Sequence, residues 1–212
     1  MPDTLSVPRV RAFLTRLEAE NDRAWFKAHQ GEYEADLKAP AEALLDRLRA
    51  PLREMTGLEA TPKLFRPQRD LRFSKNKRPY HLHLHLMWSL AAGGASEPAC
   101  FLGIDLKGVT VGLGCMAMNR EQLERWRSLL LTDTARMAAL IERAEAGGFT
   151  FREGELKRTP GPCPPDHPLA RFARMKSCVA TKEMAESGPL EPRLMEAFRQ
   201  GLPVLEMLHP VL

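Results

Sequence analysis

Tyr80-His81-Leu82-His83-Leu84-His85-Leu86-Met87-Trp88 sets an aromatic or a leucine at each even position and a histidine or methionine at each odd one. Side chains of a strand alternate between its two faces, so this run predicts a strand with one buried side. Two further apolar runs follow, 100–106 and 109–116, separated by Lys107-Gly108. A two-residue turn there pairs Leu106 with Val109, Ile104 with Val111, Leu102 with Leu113 and Cys100 with Cys115, apolar against apolar throughout. The alternative is a turn on Asp105-Leu106-Lys107-Gly108, with a shifted register that sets Ile104 against Thr110.

Outward from these strands the period changes to that of helices. Val10, Phe13, Leu14 and Leu17 recur at helical spacing, and Asn21 or Asp22 can cap a second helix carrying Trp25 and Phe26. Pro40 suits the first turn of a third, whose apolar face is Leu44, Leu45, Leu48 and Leu52. Beyond the hairpin, Leu123, Trp126, Leu129 and Leu130, then Met137, Leu140 and Ile141, repeat at helical spacing until Gly147-Gly148. The stretch 159–168 is a proline-rich loop, Pro168 can open a short helix, and Leu194, Met195, Phe198, Leu202 and Leu205 predict a final amphipathic helix. The expected fold is α+β, one domain over 1–212. A mainly antiparallel sheet, a meander with a hairpin near 100–116, is packed by N-terminal and C-terminal helices.

Composition narrows the function classes. A chain of 212 residues that is 44% hydrophobic and 27% charged has the make-up of a water-soluble domain. It holds no apolar run near the ~20 residues of a membrane span. With an opening that lacks a signal-peptide pattern, it is expected to be cytoplasmic and off the membrane. Cys100, Cys115, Cys163 and Cys178 are too scattered for a disulfide scaffold or a zinc site.

Charge is concentrated in one place. Between 66 and 78 lie six cations, Arg66, Arg69, Arg72, Lys75, Lys77 and Arg78, against the single acid Asp70, so this segment exceeds the net +4 of the chain and the remainder sums to −1. Clustered like charge repels itself unless an anion or carboxylate offsets it, which makes the segment the leading candidate site. If 65–74 is extended, Arg66, Asp70 and Arg72 fall on one side and Phe65, Arg69, Leu71 and Phe73 on the other. Asp70 can then brace one guanidinium and leave its neighbour free for a phosphate or carboxylate.

The same residues carry a resemblance. Asn21-Asp22-Arg23-Ala24-Trp25-Phe26, Tyr33, Pro40, Phe65-Arg66, Arg69-Asp70-Leu71-Arg72-Phe73-Ser74-Lys75, Lys77, Pro79-Tyr80, Leu156-Lys157-Arg158, Pro160 and Asp166-His167-Pro168 resemble a family of uncharacterised bacterial and fungal proteins, domain of unknown function 2461. The resemblance spans nearly the whole chain and implies a single domain without an established activity. The chain departs from that pattern at Asn76, usually aspartate, at His81, usually lysine, and at Gly161-Pro162, where the turn normally ends in glycine.

Other motifs add little. His81 and His83 sit two apart on one strand face and can share an ion, but His81 and His85 lie about 13 Å apart in an extended strand, too far for common ligation. No metal site is expected, and the histidines are read as polar residues on the exposed side of a strand. A Walker loop, a Gly-x-Ser-x-Gly elbow and a dinucleotide-binding turn are all lacking, so the sequence names no cofactor and leaves open whether the chain is an enzyme.

Three readings stand. In the first, Arg66, Arg69, Arg72, Lys75 and Lys77 bind a compact anionic small molecule, with Asp70 as orienting carboxylate. Lys157, Arg158, Asp166 and His167 contribute only if the proline-rich loop folds over the segment. In the second, the cations interleaved with Phe65, Phe73 and Tyr80 bind nucleic acid. In the third, the arginines form an internal ion-pair network or meet the acids of a protein partner. Oligomeric state is not encoded in any motif.

Overall fold

The computed structural model describes residues 4–72, 77–90 and 96–211. In chain order the elements are α1 (Val7–Ala19), α2 (Arg23–Ala28), α3 (Gln30–Glu32), a π-helical stretch (Tyr33–Lys38), α4 (Ala39–Arg47), α5 (Arg49–Thr56), β1 (Thr61–Leu64), β2 (His83–Ser89), β3 (Pro98–Asp105) and β4 (Val109–Cys115). Then come α6 (Arg120–Thr132), α7 (Thr134–Ala146), β5 (Thr150–Phe151), α8 (Ala170–Ala173), β6 (Cys178–Met184), α9 (Leu190–Gln200) and α10 (Leu202–Leu208). The strands form one antiparallel sheet in the order β1-β2-β3-β4-β6-β5, so the fold is α+β. Among the described residues no helix is long and apolar enough to cross a membrane.

The alternation of β2 becomes burial: Leu84, Leu86 and Trp88 are in the core, while His83, His85 and Met87 take the other face. The Trp88 indole N–H would be costly to bury alone. It donates to the Leu45 carbonyl of α4 at 2.9 Å, and its ring meets Phe198 of α9 edge-on, which ties two helices to one strand. Trp126 repeats the device between α6 and Phe172 O. Trp25, by contrast, is half-buried and stacks on His29 at 3.9 Å.

The hairpin takes the alternative turn, on Asp105-Leu106-Lys107-Gly108, but neither expected register. Ile104 lies opposite Val109, Leu102 opposite Val111 and Cys100 opposite Leu113. The turn is Asp105-Leu106-Lys107-Gly108, closed by Asp105 N–H to Gly108 O at 3.1 Å, and the Asp105 carboxylate accepts from the amides of Lys107 (2.7 Å) and Gly108 (3.0 Å). That carboxylate satisfies amides that a turn on Lys107-Gly108 would leave exposed, so it selects the turn. The strand slides by two residues from the expected pairing, and because the side-chain period is also two, each residue keeps its face. Cys100 and Cys115 are therefore not partners; Cys115 faces Cys178 on β6 instead.

Two long helices expected from periodicity are each broken in two. Pro51 has no N–H to offer the Arg47 carbonyl, so the run through Leu52 divides at Leu48 into α4 and α5. Pro203 likewise cannot bond to residue 199, and α9 gives way to α10 at Gly201. Only glycine fits that elbow, since a Cβ would overlap Leu113 Cδ1 and crowd the Phe149 ring. β6 has no counterpart in the expected elements: Cys178-Val179-Ala180 is apolar, but Thr181-Lys182-Glu183 hides the strand pattern. Lys182 is accommodated because its ammonium reaches Gly147 O at 2.7 Å.

Candidate functional site

The arginine segment leaves the sheet at its β1 edge. Phe65 N–H still donates to His85 O at 3.0 Å, but Pro67 has no amide to continue the ladder and the strand stops at Leu64. The chain closes on itself farther out. His81 N–H donates to Pro67 O and Arg69 N–H to Pro79 O, each at 2.8 Å, around an isolated bridge between Gln68 and Tyr80. The expected extended run over 65–74 is thus corrected: residues 65–72 are irregular, and Phe73, Ser74 and Lys75 lie outside the described residues. Arg66 and Arg69, expected on opposite sides, line one cleft.

A second element fixes this neck. Asp22 accepts from Trp25 N–H at 2.8 Å and caps α2, which leaves Asn21 free to grip Tyr80: Nδ2 donates to Tyr80 O at 3.1 Å and Oδ1 accepts from Tyr80 N–H at 3.0 Å. The Tyr80 ring stacks on Phe26 of α2, centroids 4.1 Å apart and planes within 10°. Docking α2 there brings its first residue, Arg23, to the arginines. The result is an open cleft of about 430 Å³ whose walls include Arg23, Arg66, Gln68, Arg69, Asp70 and Tyr80.

Asp70 is committed. Its carboxylate takes Arg72 Nε at 3.0 Å and Nη2 at 2.6 Å in a two-pronged pair, and also accepts the Arg72 amide at 3.1 Å. These bonds from Arg72, with the nearby charge of Arg66, hold the carboxyl below the usual carboxylate range. Lys77 reaches Leu71 O at 3.4 Å and is otherwise exposed. The guanidiniums of Arg23, Arg66 and Arg69 have no hydrogen-bonded or ion-paired partner among the described residues. Arginine stays protonated at any working pH, so the cleft presents permanent donors without an acid of their own.

The histidine ladder abuts this cleft. His81, His83 and His85 stack in succession, with centroid distances of 4.6 and 3.7 Å. Burial and the neighbouring imidazoles push His83 down to about 4, and burial with the charges of Arg69 and Arg66 lowers His81. The rings are therefore neutral near pH 7. Among the described residues no group of three or more His, Cys, Asp or Glu side chains is placed to hold a metal ion.

The proline-rich loop is not brought to the arginines. It follows β5, the edge strand farthest from β1, five strand spacings or about 24 Å across the sheet. Lys157, Arg158 and Asp166 are exposed there. His167 accepts from Leu169 N–H through Nδ1 at 3.1 Å and meets the Thr134 hydroxyl at the start of α7 at 3.4 Å, which makes it a local brace.

Sequence reasoning overlooked Arg23 as a site residue and Asn21 as the clamp, and the signal was at hand: two adjacent residues both suited to capping, of which only one can cap. A larger cavity, about 850 Å³, lies between α5, α6 and α10 and includes Met55, Leu58, Leu90, Gln122, Leu205 and His209. Several of its polar walls are already used, since Gln122 belongs to the α6 capping box and Glu206 pairs with Arg143. The chain belongs to the family described as conserved hypothetical protein (DUF2461), which matches residues 9–210. Comparison with curated proteins finds no match.

Proposed function

We propose that this conserved hypothetical protein binds a compact anion, a phosphate or a carboxylate, in the cleft between α2 and the Pro67–Tyr80 neck. Arg66 and Arg69 are the principal donors, Arg23 adds a third, the Asp70–Arg72 pair braces the loop, and Lys77 contributes charge at the rim. The carrying observation is the division of labour at Asp70. Both of its oxygens are turned to Arg72, so the guanidiniums of Arg23, Arg66 and Arg69 keep their donors for a ligand. Planar forks of this kind match the oxygens of phosphate and carboxylate. The cleft supplies donors and no uncommitted base, which supports binding rather than chemistry on the anion.

A thermal-shift titration with inorganic phosphate, citrate and sulfate tests the reading. At a hundredfold excess over Kd, binding stabilises by about 2.7 kcal/mol, roughly 5–10 °C in a chain of this size. Arg69→Ala is expected to abolish most of that shift without lowering the midpoint of the free protein. A wild-type midpoint unmoved by all three anions, or an Arg69→Ala variant that responds as the wild type does, refutes it.

A further inference from the structure

The arginine cleft has a neighbour. On the other side of Arg66, Gln68 and Tyr80, which line both, lies a second cleft of about 410 Å³ between α2, the π-helical stretch and the end of β1. Its chemistry is different. Phe65 lines it while remaining 39% exposed, one of the few large apolar side chains so placed. The ring is nonetheless held: His85 meets it edge-on at 6.4 Å, and the Lys63 ammonium lies 4.8 Å from its centroid. Two side-chain amides, Gln30 and Gln68, face the same space, as does Glu42, and none of the three has a hydrogen-bond partner among the described residues. The wide turn of the π-helical stretch adds Tyr33, whose hydroxyl burial and the charges of Glu34 and Glu42 push up to about 12, so that it remains a donor.

Resting on the anion reading above, we propose that the two clefts form one bipartite site for a nucleotide, its phosphate on Arg23, Arg66 and Arg69 and its base against Phe65 with the amides of Gln30 and Gln68 at the base edge. An exposed, fixed aromatic ring is a surface on which any base can stack. Amides offer a donor and an acceptor side by side, which matches the donor and acceptor that a base edge presents and that an alkyl chain lacks. The walls shared at Arg66, Gln68 and Tyr80 set the two clefts side by side, so one molecule carrying a phosphate and a base can engage both. Such a nucleotide can be free or can be the end of a single strand.

Calorimetric titrations with inorganic phosphate, ribose 5-phosphate, adenosine 5′-monophosphate and a 5′-phosphorylated single-stranded oligonucleotide test this. The mononucleotide is expected to bind about tenfold or more tighter than ribose 5-phosphate. Phe65→Ala, at a solvent-exposed position, should remove that gain and leave inorganic phosphate binding unchanged, and Phe65→Trp should restore it. Equal affinity for the mononucleotide and ribose 5-phosphate overturns the nucleotide proposal while the anion reading stands. Failure of inorganic phosphate and of every phosphorylated probe to bind overturns both. Oligonucleotide binding that exceeds that of the mononucleotide, falls with salt and is lost in Phe65→Ala supports a strand end as the source; oligonucleotide binding indifferent to Phe65→Ala overturns the base contact.

Discussion

On the helical side of the molecule Arg143 lies 3.0 Å from Glu206, Arg171 2.5 Å from Glu145 and Arg47 3.0 Å from Glu191, whereas around the cleft Arg23, Arg66 and Arg69 have no carboxylate within ion-pair distance among the described residues. Acids are present in both regions. Near the cleft they are spent otherwise: Asp22 caps α2 and Asp70 grips Arg72. The contrast separates two uses of one residue type. Pairing across helices trims surface charge at little gain, while leaving guanidiniums unpaired keeps a local field that an incoming anion can relieve.

The strongest way to break this comparison is the double variant Arg66→Ala/Arg69→Ala. It should eliminate the phosphate-induced thermal shift and leave the midpoint of the free protein in place; a marked loss of stability without ligand would move these arginines to the structural class. Next in size is Asn21→Ala, which strips the Tyr80 backbone of both partners in a partly buried setting. We expect a loss of roughly 1–3 kcal/mol in urea denaturation, together with a weakened phosphate response, because the neck that positions Arg69 is loosened.

A third test uses pH. His83 has its folded value depressed to about 4, so between about 4 and the ordinary 6.5 the unfolded chain binds a proton that the native state excludes. Stability must then rise with pH across that window, and His83→Gln should flatten the slope in urea titrations at pH 4.5 and 6.5. Asp70, also depressed, contributes above the ordinary carboxylate range and loses its contribution as pH falls through its folded value; carboxyl NMR should find its titration displaced to low pH. Smallest of all is Arg143→Ala on the helical side. Exposed pairs of this kind are worth roughly 0–1 kcal/mol, and the phosphate response should be untouched.

Much of the fold was legible because it follows from periodicity. The alternation of Leu84, Leu86 and Trp88 gave the strand and its buried face, and the 3.6-residue recurrence gave the helices. Prolines at 51 and 203 were equally visible and explain the two breaks that periodicity alone ran through. The hairpin register turned on side-chain hydrogen bonds of Asp105, which an apolar-pairing argument does not weigh. β6 was hidden because its outer half carries Lys182, a charge held by the Gly147 carbonyl and the Gln200 side chain, both distant in sequence. At the site, the charge cluster was readable from composition, and so was the pairing of its single acid, Asp70, with an arginine. The docking of α2 on Tyr80 depends on a contact 59 residues apart and the separation of the proline-rich loop on strand order, and local sequence does not encode them.

The three tryptophans acquire an optical consequence from their settings. Trp88 and Trp126 are sealed and should emit as a blue-shifted, quencher-resistant pair, while Trp25 of α2, stacked on His29, is only half-buried and is reached by solvent on its open side. Iodide or acrylamide would therefore extinguish one emitter selectively. Any loosening of α2 from Phe13 and His29 becomes visible as a change in that single fraction, with no dye attached to the protein.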